Sequence, residues 1–421
     1  MSHPPEANPL APGSSPPWGG ASPAQPLVVF AGNRADWSLL QALCEHWHQQ
    51  HPQLPWQLWL GGSLASPEEA PLRARLEGHY GAERVRVLPH ASHHGKALYS
   101  GPLWAQSQAH TEATNTLLAQ APRPTLVVVL GDRYEAFAVA HTAFLHQVPV
   151  LQLAAGDCTQ GGCVDDTLRF ALSQLAQFMG CFSEASHQRL LAQGVEPWRA
   201  FTCGSLANDG VLTAAPLSQQ ALVEAFPTEL AGLDANKPWL LFTQHPVPHS
   251  PVVPTLQACV QGVAAYAAQH GYHVIATYPN EDLEGPAQRA YIEAYQKAHP
   301  QGPVFWVRHL GQQAYASALS HAAAVVGNSS SVVYESVLWR KPALCVGPRQ
   351  QGREHAPNVH WVAATAAAVA EGLAVVLEDA AFATQVAQAV SPFGEGAAAP
   401  RISAFLAALT PQQLRQPKRY P

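Results

Sequence analysis

The sequence predicts an α/β protein of two Rossmann-like domains facing a central cleft. Three observations carry this. The chain has 421 residues, beyond the roughly 250–300 at which a single hydrophobic core stops growing. Short apolar, β-branched runs alternate with helix-like stretches, the pattern of parallel βαβ units covered on both faces. The pattern then restarts after about residue 209, so a second sheet follows the first.

The elements follow in chain order. Residues 1–26 hold eight prolines with Gly and Ser. Such a segment cannot bury enough apolar surface to order itself and reads as a disordered tail. Its prolines could also dock on a partner's aromatic groove. The first domain, 27–209, starts with the strand Leu27 to Ala31. Leu126 to Leu130 and Val148 to Leu153 read as two more, with Glu135 to Leu145 as the crossover helix between them. In the second domain, 210–390, the strand candidates are 239–243, 273–277, 324–327 and 343–346. Residues 391–410 read as a C-terminal helix that packs back on the first domain.

Composition narrows the function. Only 12% of residues are charged and the net charge is −6, which argues against a nucleic-acid surface. A phosphorylated small molecule needs only a local cluster of donors and stays open. Seven cysteines, an odd number with no C-x-x-C pair, predict neither a disulfide framework nor a structural zinc site. Cys158 and Cys163 lack two further ligands at suitable spacing, so no metal is expected. No apolar run of about 18 residues occurs, and no basic stretch leads into an apolar one at the start. The expectation is a cytoplasmic protein with no membrane partner.

In open α/β sheets ligands bind beyond the carboxyl ends of strands, so the residues there matter most. After the first strand comes Gly32-Asn33-Arg34-Ala35-Asp36, where Arg34 could reach a phosphate or sit on the surface. After the second comes Gly131-Asp132-Arg133-Tyr134-Glu135. Asp132 could cap the following helix or act as a general base. After the third, Asp157, Asp165 and Asp166 fall within ten residues, among Gly156, Gly161 and Gly162. Clustered acids are the raw material of acid/base catalysis, although Asp165 could simply cap a helix beginning near Thr167.

In the second domain, Gln244-His245-Pro246 follows a strand. His245 and His249 have chelating spacing, but the prolines between them oppose the helix that would align them. Contact with a phosphate suits His245 better. The strongest feature is Gly327-Asn328-Ser329-Ser330-Ser331-Val332-Val333-Tyr334-Glu335. Strand, small polar residues, then helix is an anion-binding arrangement, although serine also caps helices for structural reasons alone. No Gly-Lys-Ser/Thr follows, so it is not a Walker loop. Glu335 could accept hydrogen bonds from a ribose diol. Arg349 and Arg353, after the next strand, could neutralise a diphosphate or lie on the surface.

Six motifs in order then carry a resemblance. They are Gly-Asn-Arg-Ala-Asp, Gly-Asp-Arg-Tyr-Glu, Asp-Asp-x-x-Arg at Asp165 to Arg169, Thr-Tyr-Pro-Asn ending at Asn280, Gly-Asn-Ser-Ser-Ser, and Arg-Gln-x-Gly-Arg. Together they resemble the UDP-N-acetylglucosamine 2-epimerase family, above all its hydrolysing branch, which serves the synthesis of sialic-acid-like sugars. The resemblance runs from about Leu27 to about Leu409. It implies a GT-B fold with UDP held mainly by the C-terminal domain, and a homo-oligomer, dimer or tetramer. It implies removal of the C2 proton with elimination of UDP, then water addition, with no metal or other cofactor. By position, Asp132, Asp157 and Asp165 match the family's acidic catalytic positions and His245 its histidine near the diphosphate. Arg34, Arg169, Asn280, Ser329, Ser330, Ser331, Glu335, Arg349 and Arg353 match substrate contacts.

The chain also departs from the family. Ala154-Ala155-Gly156-Asp157 stands where the hydrolysing branch usually reads His-Gly-Gly-Glu. Leu168-Arg169-Phe170 stands for Ile-Arg-His, and Leu64 for a further histidine. The substrate side has drifted while the UDP side has not. The reading is therefore a hydrolysing 2-epimerase acting on UDP-N-acetylglucosamine or a 2,4-diacetamido UDP-sugar. The alternatives are a GT-B glycosyltransferase, which would need an acceptor, and a non-catalytic UDP-sugar-binding homologue, which would bind UDP without turnover.

Overall fold

A computed structural model of the protein describes residues 25–89, 102–159, 163–213, 215–247, 250–279 and 285–419. Nearly all of the proline-rich segment lies outside the described residues, as do Gly161, Gly162, His249 and Asn280. The chain divides into two compact units. One comprises the residues up to Asp157 together with 164–209 and 396–421, and the other comprises 158–163 and 210–395.

The first unit is built on a seven-stranded parallel sheet. Its strands are β1 (Leu27–Ala31), β2 (Trp56–Leu60), β3 (Val85–Val87), β4 (Leu126–Leu130), β5 (Val150–Leu153), β6 (Phe178–Cys181) and β7 (Ala200–Thr202). They lie in the order β3-β2-β1-β4-β5-β6-β7. The second unit carries β8 (Trp239–Thr243), β9 (His273–Thr277), β10 (Val304–Val307), β11 (Ala324–Gly327), β12 (Ala343–Val346) and β13 (Val359–Val362). Their order is β10-β9-β8-β11-β12-β13, again all parallel. Both are doubly wound sheets whose order reverses once, between β1 and β4 and between β8 and β11.

Period-two burial explains why these segments are strands. In the second unit Leu240, Phe242, Val274, Ala276 and Val326 enter one core. Their neighbours Trp239, Leu241, Ile275 and Val325 enter the other, on the opposite face. Both faces are covered, so the strands read as unbroken apolar runs. β5 starts two residues later than its sequence suggests. Pro149 has no N–H to give, and the Val148 N–H is taken by the Ala143 carbonyl at the end of the preceding helix, 2.9 Å away. No helix among the described residues is long and apolar enough to cross a membrane.

The helix Ala398–Ala408 belongs to the first unit. Its N-cap, Ala397, is left-handed (φ 63°) and offers no side-chain acceptor. Asp209 supplies the cap from elsewhere in the chain: its two oxygens accept from the N–H groups of Ala398 (2.9 Å) and Ala399 (2.7 Å). Trp47 Nε1 donates to Ser403 on the same helix at 2.9 Å. Replacing Asp209 with Ala should therefore lower the unfolding free energy by about 1–2 kcal/mol, the usual worth of a side-chain cap. Urea unfolding of the two proteins measures this, and an unchanged midpoint would contradict it.

Candidate active site

In the first unit the loops after β1 and β4 are neighbours where the strand order reverses. Asn33 caps the helix Arg34–Gln50, its Oδ1 accepting from the Asp36 N–H at 2.9 Å. The Asp36 carboxylate accepts in turn from the Gly32 N–H at 3.0 Å. Burial raises Asp36 to about 7, with Glu135 adding to the shift and Arg133 opposing it. Much of the Gly-Asn-Arg-Ala-Asp motif is thus capping chemistry. Arg34, expected at the nucleotide, donates through Nε to Glu69 at 2.6 Å.

Asp132 is not a helix cap. The helix Tyr134–Leu145 begins after Arg133 with no side-chain capping bond. Asp132 instead accepts from Nη2 of Arg169, and Nη1 of the same arginine donates to Asp166 and to the Asp157 carbonyl, the latter at 3.1 Å. Arg169 is only 2% exposed, and Asp157 is buried. Burial works against the guanidinium charge, yet Asp132, Asp157 and Asp166 together hold it protonated above its ordinary range. The helix Cys163–Leu175 starts earlier than Thr167, so Asp165 is not its cap either. Asp165 lies exposed on the first turn, and Asp166 is the acid that meets Arg169. Sequence reasoning chose between two adjacent aspartates. Both i,i+3 and i,i+4 spacings place an acid beside an arginine on a helix, so spacing alone could not separate them.

In the second unit the loops after β8 and β11 meet at the other reversal. Gly327 has φ 126°, and a Cβ there would lie 1.9 Å from the Thr243 carbonyl oxygen, so only glycine fits. Asn328 is fully buried. Its Oδ1 accepts from the His245 N–H (2.6 Å) and its Nδ2 donates to the His245 carbonyl (2.9 Å). Its own carbonyl accepts from Arg349 (3.1 Å) and Gln350 (2.9 Å). Asn328 and Gln350 stood in the sequence motifs without a role of their own, because nothing in linear spacing reveals a bond across 83 residues.

The serine loop differs from its sequence reading in one respect. The helix after it is only four residues, Ser331–Tyr334, followed by a short 3-10 turn, Ser336–Trp339. Its dipole contributes little, so any anion site here rests on side chains and loop N–H groups. Ser330, at the start, makes no capping bond, and Ser331 is bonded to the Tyr315 hydroxyl. Ser329 and Ser330 are half-buried beside it. Arg353 stacks 5.2 Å over the Tyr334 ring and donates to Gln350 at 2.6 Å. Neither Arg349 nor Arg353 is a free surface arginine. Burial raises Glu335 to about 7 against the pull of Arg353, and its Oε2 has no hydrogen-bond partner. Burial and Arg349 lower His245 to about 3, so its imidazole is neutral. Positive charge for an anion must come from the arginines.

The family model for UDP-N-acetylglucosamine 2-epimerase matches residues 104–407. A GDP/UDP-N,N'-diacetylbacillosamine 2-epimerase (hydrolyzing) from Campylobacter jejuni is 29% identical over 335 residues, 79% of this chain and 83% of the relative. A UDP-N,N'-diacetylbacillosamine 2-epimerase (hydrolyzing) from Legionella pneumophila is 26% identical over 354 residues, 82% of this chain and 87% of the relative. The Methanocaldococcus jannaschii UDP-GlcNAc 2-epimerase, solved with UDP-GlcNAc and UDP, superposes with a TM-score of 0.69 at 15% identity, covering 91% of this chain and 99% of that one. That likeness makes the fold GT-B-like, and the matched segment is well over half of the chain: this protein belongs to the UDP-N-acetylglucosamine 2-epimerase family.

Proposed function

We propose that the protein is a hydrolysing UDP-sugar 2-epimerase that takes UDP-N-acetylglucosamine or a 2,4-diacetamido UDP-sugar and releases UDP and the 2-epimeric sugar. The observation that carries this is the cluster of Arg169 with Asp132, Asp166 and Asp157 at the carboxyl ends of β4 and β5. The names of the Campylobacter and Legionella relatives favour the diacetamido sugar.

The chemistry has two halves. A carboxylate takes the C2 proton while the C1–O bond to UDP breaks, and the electron pair forms the C1=C2 bond of a glycal. Water then adds its oxygen to C1, and C2 is protonated on the opposite face. Asp132 and Asp157 serve as proton carriers, with Asp165 on the first turn of the neighbouring helix. Arg169 fixes the orientation of Asp132. On the UDP side, Arg349 and Arg353 offset the diphosphate charge, Ser329, Ser330 and Ser331 donate to its oxygens, and Glu335 accepts from the ribose. His245 acts as a neutral donor or acceptor when no diphosphate charge faces it. A bound diphosphate would draw a proton to it.

Incubation of the purified protein with each sugar nucleotide, followed by chromatography, tests the reading. UDP and free sugar should appear in equal amounts without any acceptor. No UDP from either substrate would sink it. Asp132→Asn should lower kcat by about 100-fold or more and leave UDP affinity within about twofold, as for loss of a general base.

Glu335 gives a pH-dependent test. Its folded-state value of about 7 lies above the ordinary 4.5. The folded protein therefore holds the extra proton between those values, and ligand-free stability falls as pH rises through that window. Glu335→Gln should raise the ligand-free Tm at pH 8, leave it unchanged at pH 4, and weaken UDP binding about tenfold at pH 8 through loss of a charged acceptor. A Tm difference that is the same at both pH values would contradict this account.

A further inference from the structure

Gln152 lies in the middle of β5, fully buried, in a strand where both faces call for aliphatic side chains. It is the polar member of an otherwise apolar run, and every polar atom of its side chain is used. Nε2 donates to the Gly131 carbonyl at 3.1 Å and to the Arg169 carbonyl at 3.0 Å. Oε1 accepts from the Ser173 hydroxyl at 2.7 Å. That hydroxyl, also fully buried, lies 3.0 Å from the Arg169 carbonyl as well.

The two carbonyls are informative. Gly131 immediately precedes Asp132, and Arg169 is its ion-pair partner. One amide group therefore holds the backbone beside both members of the Asp132–Arg169 pair. A leucine here would suit the strand and would leave both carbonyls without this donor. Buried amides in a parallel core are costly unless fully bonded, so a structural account alone would favour the leucine.

We propose that Gln152 is a positioning residue for the reaction: its amide sets the relative placement of Asp132 and Arg169, and Ser173 sets the orientation of the amide. The proposal rests on the reading above that Asp132 carries a proton. A misplacement of about 1 Å at such a group costs on the order of 100-fold in rate. Gln152 acts through the pair and need not touch the substrate.

The test uses Gln152→Leu and Ser173→Ala in the full chain, at a temperature where circular dichroism shows both folded. Four measurements are made: kcat and KM for UDP release, UDP affinity by calorimetry, the Tm, and the crystal structure of each variant. Gln152→Leu should lower kcat by roughly 10–100-fold and Ser173→Ala by roughly 3–10-fold, with KM and UDP affinity within about twofold. The crystal structures should show Arg169 displaced from Asp132. A lowered Tm with unchanged kcat and an intact Asp132–Arg169 pair would overturn the proposal. Ser173→Ala decides the question if Gln152→Leu does not fold. If the unmodified protein releases no UDP, the functional reading fails, and the crystal structures still decide whether Gln152 places the pair.

Discussion

A guanidinium taken out of water must find partners for its charge and its donors, and Arg169 imposes that constraint on the first unit. Desolvation costs several kcal/mol per buried ion, and loss of one partner typically costs about 3–5 kcal/mol because the other charge is left uncompensated. Asp132 from the loop after β4, Asp166 from its own helix and the Asp157 carbonyl from the loop after β5 all converge on it. Three chain segments are thereby fixed relative to one another at the end of the sheet. Since both faces of a parallel sheet are covered, the strand ends are where such polar machinery can reach a substrate.

The second unit meets a different demand, and does so with neutral groups at its centre. Asn328 stitches the end of β11 to the end of β8 by two bonds to the backbone of His245. The close approach of Gly327 to Thr243 makes that stitch possible. Arg349 and Gln350 then hang on the Asn328 carbonyl. The cationic groups are thus carried on a rigid neutral scaffold rather than on a helix dipole. The departures from the family pattern, at Leu64, Ala154, Ala155, Asp157 and Phe170, all fall in the first unit.

Much of the fold was legible because the central strands are aliphatic runs. Leu27–Ala31, Leu126–Leu130, Trp239–Thr243 and His273–Thr277 were read at their observed bounds. β2, β6 and β13 escaped naming because WQLWL, FMGC and VHWV mix Gln, Gly, Met, His and Trp into short runs. Site residues divide similarly. Arg169 and the serine loop stood out by motif. Asp166 and Asn328 stood inside those motifs without a role of their own, and Gln152 was read only as part of a strand, because the bonds of Asn328 and Gln152 join segments far apart in the chain. The helix expected after the serines is present but short. Glycine and proline are absent from Ser331 to Arg340, and the chain instead leaves the helical path at Arg340, a non-glycine residue with φ 48°.

In the proposed reaction carboxylates in the first unit move a proton at C2 while the second unit holds the departing UDP. Running the reaction in deuterium oxide and analysing the released sugar by mass spectrometry and NMR tests it most directly. The account predicts one solvent deuterium at C2 of a manno-configured sugar for every UDP released. Release of UDP with hydrogen retained at C2 and the configuration unchanged would show simple hydrolysis and contradict it.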